Sequence, residues 1–330
     1  MNHSDPGQCK LSFTHNLDLC DKDADAMTQK PNFFILGAAK SGTTALYYLL
    51  GKLPQVHLST PKEPYYFVDE YERGPEYHWQ TYYADGWRGQ PLVGEAQTAH
   101  LFLPYVPQRI HQTVPDARLI VILRNPVDRA FSHWWMRRGN GRETLSFEES
   151  LRENQARIVA GSTIEGADAE NLWRAHMAPK PDRWGVRPCS LRVYLEAGYY
   201  AVQLERYLQF FPRSQLCVLL LDEFIRAPLE TTRQLFEFLG LDPSEVKRPP
   251  AQENVALTTF SHPLYILSHR LRLQSVLPRK FLAVARTTLS KIGRRPTMSG
   301  ETRAWLCRHY ESHNRRLEAL LECDLDEWNH

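Results

Sequence analysis

The chain has 330 residues, of which 42% are hydrophobic and 24% charged, a composition suited to a folded protein with one large apolar core. Its 40 basic and 38 acidic residues leave a net charge of +2, so no global field favours nucleic acid or a membrane surface as a partner. No run of about 18 apolar residues and no signal-peptide pattern is present, so we expect a cytoplasmic protein of bacterial type.

From residue 31 onward, apolar strand-like runs alternate with helical patterns, which predicts a parallel sheet covered by helices on both faces. The predicted strands are Phe33–Leu36, Val56–Ser59, Leu92–Gly94, Leu119–Leu123 and Leu216–Leu221. The predicted helices are Thr43–Lys52, Val127–Arg138, Phe147–Ala160, Tyr199–Phe211, Leu229–Leu239 and Glu301–Leu321. The predicted fold class is therefore α/β, with three layers and a mainly parallel central sheet.

Three regions define the expected domain organisation. Residues 1–30 are rich in aspartate and lack apolar periodicity, so we expect a tail or a loosely docked arm. Residues 31–330 are expected to form a single domain. Within it, residues 161–188 show no clean periodicity and are expected to be an irregular insertion near the acceptor site. The cysteines lack zinc-like spacing, so we expect reduced thiols and no metal site.

A loop of small residues follows the first predicted strand and opens the first predicted helix. It reads Gly37-Ala38-Ala39-Lys40-Ser41-Gly42-Thr43-Thr44. Glycines in such a loop let the backbone approach an anion, and the N–H groups at the helix start point at it. A Walker A loop has lysine where this chain has Thr43, and no acidic strand end suits Mg²⁺, which disfavours a P-loop kinase. A plain strand-to-helix turn with a solvated lysine is the alternative.

A second candidate anion site follows the predicted strand Leu119–Leu123. Arg124 comes directly after this strand, at the edge where ligands of open α/β sheets bind. Ser132 lies about two helical turns further along the predicted helix, so the guanidinium and the hydroxyl could reach one phosphate. An ion pair between Arg124 and Asp128 is the alternative.

These two segments resemble the donor-binding motifs of sulfotransferases that use 3′-phosphoadenosine-5′-phosphosulfate (PAPS). The resemblance covers most of the chain from residue 31 and implies a P-loop-like fold, PAPS as donor and 3′-phosphoadenosine-5′-phosphate (PAP) as product, with no metal required. It implies that Lys40 contacts the oxygen between sulfur and the 5′-phosphate, and that Arg124 and Ser132 bind the 3′-phosphate. The residues that it assigns to the 5′-phosphate are Ser41, Gly42, Thr43 and Thr44.

The first candidate for a general base lies between the two anchors. The segment Pro61-Lys62-Glu63-Pro64-Tyr65-Tyr66-Phe67 resembles the Lys-Glu segment of heparan sulfate sulfotransferases and related bacterial enzymes. This resemblance implies that Glu63 takes the proton of the acceptor as it attacks. An ordinary ion pair between Glu63 and a lysine such as Lys62 is the alternative.

The second candidate for a general base is His100. The segment Thr98–Pro104 is faintly similar to one in the cytosolic small-molecule sulfotransferases, whose histidine is the base. A register that places Glu95 on the Gly-Glu strand end of the heparan-type group puts His100 at a position that is often aromatic. In that register His100 either contacts the acceptor or simply packs in the core. In that register Gln97 falls in a stretch that carries a lysine in some members.

Three further residues are candidates for contact with the nucleotide. Tyr200 stands in a segment similar to the family's Gly-x-Tyr helix start, and a core position is its alternative. Arg294 and Arg295 stand in a basic loop similar to one that closes over the adenosine and 3′-phosphate, and a solvated basic run is the alternative.

The resemblance implies transfer of a sulfuryl group from PAPS to a hydroxyl or an amine. Because the overall charge is balanced, we expect a small-molecule acceptor such as a natural product or metabolite. An oligosaccharide acceptor and a noncatalytic PAP-binding protein are the alternatives. Neither nucleic acid nor a membrane is an expected partner.

Overall fold

The computed structural model describes residues 30–139, 142–166, 168–177, 191–246 and 296–330. These residues separate into two compact units. The first comprises the described residues in 30–124, 200–246 and 311–330, and the second those in 125–199 and 296–310. Nearly all of the expected arm, residues 1–30, lies outside the described residues. The assignment of residues 31–330 to a single domain stays a prediction.

The sheet lies in the first unit and consists of five parallel strands in the described part of the chain. They are β1 (Phe33–Gly37), β2 (Val56–Leu58), β3 (Leu92–Ala96), β4 (Arg118–Leu123) and β5 (Leu216–Leu220). Their order is β2-β3-β1-β4-β5, and every neighbouring pair is parallel. All five predicted strands are confirmed. The strands β1, β4 and β5 are almost completely buried, and such parallel strands read as nearly continuous apolar runs.

Helices alternate with the strands, and all six predicted helices are confirmed to within a few residues. In chain order the helices are α1 (Thr43–Leu50), α2 (Pro75–Tyr82), α3 (Ala99–Phe102), α4 (Val106–Thr113), α5 (Pro126–Gly139), α6 (Phe147–Val159), α7 (Ala169–Met177), α8 (Tyr200–Leu208), α9 (Leu221–Arg226), α10 (Pro228–Leu239) and α11 (Gly300–Leu321). Among the described residues, no helix combines the length and the apolar composition needed to cross a bilayer.

Helices cover both faces of the sheet in the first unit. On one face, α1, α9 and α10 enclose an apolar core with the strands. Buried members of this core include Phe33, Ile35, Leu46, Ile120, Leu219, Phe224, Leu235 and Phe236. On the other face, α3 packs against β1, and α8 packs on α3 and α4. This arrangement is the predicted layered α/β architecture.

The second unit contains α5, α6, α7 and the first half of α11 around its own apolar core. Trp134, Phe147 and Tyr310 belong to this core. Helix α6 begins with a capping box, in which Ser146 accepts from the Glu149 N–H and the Glu149 carboxylate accepts from the Ser146 N–H. These two hydrogen bonds fix the first turn of α6.

The expected irregularity of residues 161–188 is wrong in part. Its described portion contains α7, a helix of nine residues that was not predicted from the sequence. Nine residues form about two and a half turns, too few for an apolar repeat to stand out. Residues 178–188 lie outside the described part of the chain.

Strands β1 and β3 approach closely at Gly94. Phe33 pairs with Gly94 in the register of the two strands, and both residues are buried. A Cβ atom at position 94 would lie 2.3 Å from the Phe33 ring. Because Gly94 has no Cβ atom, the Phe33 ring can pack directly against the backbone of β3.

Replacing Gly94 by Ala is expected to lower the free energy of unfolding by about 1–3 kcal/mol, because the fully buried Phe33 ring must shift to admit a methyl group. Denaturant unfolding measures the change. Gly139→Ala is a suitable control, since a Cβ there meets no atom within 4 Å. Equal stability of the Gly94→Ala protein and the wild type would contradict this close packing.

Candidate active site

The carboxyl ends of β1, β3 and β4 bring candidate residues from separate parts of the chain to one edge of the sheet. Lys40 follows β1, Arg124 follows β4, and Glu63 is hydrogen-bonded to the last residue of β3. Because β3 and β4 lie on opposite sides of β1, the strand order changes direction here. Open α/β sheets bind their ligands at such a switch point.

The loop after β1 has the shape of an anion cradle. Gly42 caps α1 with a φ of 102°, a left-handed conformation that glycine adopts without strain. Its carbonyl accepts from the N–H groups of Ala45 and Leu46, at 2.9 and 3.2 Å. The N–H groups of Thr43 and Thr44, the first two residues of the helix, have no acceptor within the helix itself, so they are suited to an anionic group.

Ser41 supplies a second sign that this loop binds a ligand. Its hydroxyl is buried, and its Oγ has no hydrogen-bond partner among the described residues. A buried hydroxyl without a partner is unfavourable unless water or a ligand satisfies it. Thr43 is also buried, whereas Thr44 is exposed. The loop residues therefore fit the phosphate group that the sequence predicts for them.

A hydrogen bond joins the Arg124 side chain to the backbone of Lys40. Lys40 has a φ of 72°, a left-handed conformation that is uncommon for a residue with a side chain. The Arg124 Nη1 group donates to the Lys40 carbonyl at 3.3 Å. The Tyr200 hydroxyl donates in turn to the Arg124 carbonyl at 2.9 Å. Tyr200 is buried, in agreement with its alternative as a core aromatic, and its contact with a nucleotide stays a prediction.

The remaining donor-site candidates lie elsewhere in the chain. Ser132 is half-buried on α5 in the second unit, so its convergence with Arg124 stays a prediction. In that unit Asp128 forms an ion pair with Arg303 at 2.5 Å. The alternative interpretation had paired Asp128 with Arg124. Arg294 and Arg295 lie outside the described residues.

Glu63 lies on a short segment held against the end of β3. Its N–H donates to the Ala96 carbonyl at 3.0 Å, and its φ is 66°. Lys62 Nζ donates to Glu63 Oε1 at 2.9 Å, so the ion pair that was the alternative interpretation is present. Glu63 Oε2 has no hydrogen bond to any residue that the structure describes, and the side chain is 44% exposed. One carboxylate oxygen therefore remains open to an acceptor.

The Gln97 side chain forms a hydrogen bond with Pro64, the residue that follows Glu63. Its Nε2 donates to the Pro64 carbonyl at 3.1 Å, and its Oε1 accepts from the Ala99 N–H at 3.1 Å. From the sequence, Gln97 stood out only as a departure from a family pattern. The available signal was a polar residue directly after a buried strand, but its partner lies 33 residues earlier.

A buried carboxylate lies behind this edge of the sheet. Glu95 in β3 is fully buried, and its Oε2 accepts from the Tyr83 hydroxyl and lies 2.9 Å from His78 Nε2. Burial acts to raise the pKa of Glu95, but His78, His100 and the Tyr83 hydroxyl together hold it below its usual range. Burial and the Glu95 charge raise the pKa of Tyr83 well above 10. We therefore expect an ionised, enclosed Glu95.

His100, the second candidate base, has no exposed surface. Neither ring nitrogen has a hydrogen-bond partner in the described part of the chain, and Nε2 lies 3.7 Å from Glu95 Oε1. The ring edge packs near Phe67, with 5.7 Å between centroids. Burial lowers the pKa of His100 to about 4 even though Glu95 acts to raise it. His100 is therefore neutral at pH 7 and enclosed, and its role as a base stays a prediction.

Replacing His100 by Phe is expected to make folding less sensitive to acid. The pKa of His100 is about 4 in the folded protein and 6.5 ordinarily, so between these values the unfolded chain binds a proton that the folded chain does not. Stability from this group is therefore lost as the pH falls, by about 2 kcal/mol between pH 7 and pH 5. Denaturant unfolding of both proteins at the two pH values measures the difference. An equal acid loss in both would show that His100 is not the group responsible.

The comparisons with known proteins agree with this geometry. The family model for the sulfotransferase domain matches residues 30–263. A crystal structure of a sulfotransferase from Alicyclobacillus acidocaldarius is similar over 92% of this chain and 100% of its own, with a TM-score of 0.63 and 29% identity. The likeness therefore extends over the fold as a whole rather than over a single motif.

Two curated relatives match shorter parts of the chain. The bifunctional heparan sulfate N-deacetylase/N-sulfotransferase 2 of Bos taurus is 27% identical over 222 residues, 64% of this chain and 22% of that protein. The membrane-associated sulfotransferase kil1 of Dictyostelium discoideum is 36% identical over 132 residues, 37% of this chain and 28% of that protein. The matches thus span less than a third of either relative. Since the family model matches well over half of its residues, the chain belongs to the sulfotransferase domain family.

Proposed function

We propose that this chain transfers a sulfuryl group from PAPS to a hydroxyl or an amine, with Glu63 as the general base. The observation that carries the proposal is the position of Glu63, whose open carboxylate oxygen lies at the same sheet edge as the Lys40 loop. A cradle for an anion and a half-exposed base are the two parts that the reaction needs.

The donor is held by residues of the phosphate loop and of the β4 end. The N–H groups at the start of α1 and the orphan Ser41 hydroxyl bind the 5′-phosphate, with Gly42, Thr43 and Thr44. Arg124 and Ser132 bind the 3′-phosphate, and Tyr200, Arg294 and Arg295 contact the nucleotide. Lys40 and Arg124 supply the countercharge, so no metal is required.

The reaction is an in-line displacement at sulfur. As the acceptor oxygen or nitrogen forms its bond to sulfur, Glu63 takes the acceptor proton. The bond between sulfur and the bridging oxygen breaks, and its electron pair stays on that oxygen, which leaves as part of PAP. Lys40 stabilises the negative charge that develops there, so positioning and electrostatics supply most of the catalysis.

Exposure supports Glu63 rather than His100 as the base. A general base must come within hydrogen-bond reach of the proton that it takes, at about 2.6–3.2 Å between heavy atoms. Glu63 is nearly half exposed and has an open oxygen, whereas His100 is wholly enclosed. His100 is then a packing residue beside Glu95.

The acceptor that we propose is a small molecule, since the net charge of +2 offers little attraction to a polyanionic chain. The relatives named for heparan sulfate favour a saccharide as the second candidate. PAP formation from PAPS, measured with phenols and amines beside N-desulfated heparan oligosaccharides, compares the two classes. Tight PAP binding with no turnover on any acceptor would favour the noncatalytic alternative. The cytoplasmic setting stays a prediction.

Glu63→Gln is expected to lower turnover about a hundredfold or more while PAP affinity stays nearly unchanged, because glutamine keeps the volume but cannot take a proton. Turnover is measured with the best acceptor of the panel, and PAP binding by calorimetry. His100→Asn is the matched comparison. If His100→Asn abolished turnover and Glu63→Gln did not, the base assignment would be wrong.

Lys40→Ala and Arg124→Ala are expected to affect turnover and PAP binding differently. Lys40→Ala reduces kcat far more than PAP affinity, because its main partner is charge that develops on the leaving oxygen. Arg124→Ala weakens PAP binding about tenfold or more through the 3′-phosphate. It also lowers kcat, since Arg124 holds the Lys40 carbonyl. Calorimetry in EDTA and steady-state kinetics separate these effects, and equal losses in both variants would refute the division of roles.

A further inference from the structure

Gln97 lies at the carboxyl end of β3 and has both ends of its side-chain amide occupied. The side chain is buried, with Nε2 bonded to the Pro64 carbonyl and Oε1 to the Ala99 N–H. Its own N–H donates to the Ile35 carbonyl of β1 at 3.1 Å. The main chain of Gln97 is thus fixed to the sheet, and its amide has one satisfied orientation.

The segment that Gln97 contacts has an unfavourable backbone. Glu63 has a φ of 66°, which a residue with a Cβ keeps only where the surrounding structure holds it. Two hydrogen bonds flank this position. The Glu63 N–H donates to the Ala96 carbonyl, and the Pro64 carbonyl accepts from Gln97. The bond to Ala96 therefore holds the backbone on the N-terminal side of the Glu63 Cα atom, and the bond from Gln97 holds it on the C-terminal side.

We infer that Gln97 is a positioning residue that sets the place of the Glu63 carboxylate. The inference rests on the proposed role of Glu63 as the base. Without the Gln97 amide, the buried Pro64 carbonyl loses its partner, and the backbone at Glu63 can relax toward the extended region that a residue before proline prefers. The carboxylate then moves away from the acceptor proton, which it must reach directly.

The test compares three variants of the full chain. Gln97→Met keeps the length of the side chain but removes both the donor to Pro64 and the acceptor of the Ala99 N–H. Gln97→Asn keeps an amide that is too short to reach Pro64, and it gives the same comparison if Gln97→Met does not fold. Thr232→Val is the matched control, because it removes another buried side-chain bond to a carbonyl, that of Pro228 at 2.6 Å in α10. Thermal melts verify that each variant is folded.

The first readout needs no acceptor. Hydrogen exchange of the peptide that contains Lys62, Glu63 and Tyr65 is followed by mass spectrometry without PAP. In Gln97→Met, exchange is expected to rise about threefold or more, because the Glu63 N–H is less well held. Thr232→Val should leave this peptide unchanged. Exchange in Gln97→Met equal to that of the wild type would overturn the inference.

The second readout is kinetic and uses the best acceptor of the panel. In Gln97→Met, kcat is expected to fall about tenfold while the KM for PAPS stays within about twofold. In the Glu63→Gln background the same change should cause no further loss, because Gln97 acts through Glu63. A full additional loss in that background would overturn the inference.

The two readouts also separate failure of the inference from failure of the proposed function. Normal turnover of Glu63→Gln would refute Glu63 as the base, and with it any catalytic effect of Gln97. Faster exchange in Gln97→Met would then show that the contact with Pro64 still holds the segment, so the fault would lie with the proposed base. Unchanged exchange would place the fault with Gln97.

Discussion

Parallel pairing of β3, β1 and β4 brings three carboxyl ends to one edge of the sheet, and the candidate site is assembled around these ends. β1 delivers the phosphate loop, β4 delivers Arg124, and β3 delivers the carbonyl and amide groups that hold the Glu63 segment. These segments are far apart in the sequence, so proximity along the chain does not bring them together. Their convergence depends on the register of the strands, so the close approach at Gly94 supports the site as well as the core.

Charge at this edge is arranged in two layers. On the outer side, Lys40, Arg124 and the Lys62–Glu63 pair are at least partly exposed, where a ligand can reach them. Behind them Glu95 is fully buried, and its Oε2 accepts from the Tyr83 hydroxyl and lies within hydrogen-bond distance of His78. Buried hydrogen bonds of this kind favour one arrangement of the core, whereas a ligand can reach side chains that are partly exposed. The two carboxylates therefore differ in environment, since Glu63 is 44% exposed and Glu95 is fully buried.

The sequence was sufficient to predict the sheet and the turn of small residues between β1 and α1, because buried parallel strands and such turns have local signatures. The β5 strand, for example, reads as a run of apolar residues, and Gly42 marks the helix start. Short helices such as α3 were missed, since four residues show no period. Gln97 was missed as a contact of Pro64, because a hydrogen bond across 33 residues exists only in the folded chain. The complete burial of His100 was likewise not evident from the sequence.

The left-handed backbone at Lys40 and Glu63 has a consequence for how this protein can evolve or be engineered. Glycine adopts these φ values of 72° and 66° more readily than lysine or glutamate does. Selection for thermal resistance alone would therefore favour glycine at both positions and remove the two side chains assigned to the chemistry. Stabilising this protein by conventional loop optimisation should therefore leave positions 40 and 63 unchanged, because the proposed reaction depends on both side chains.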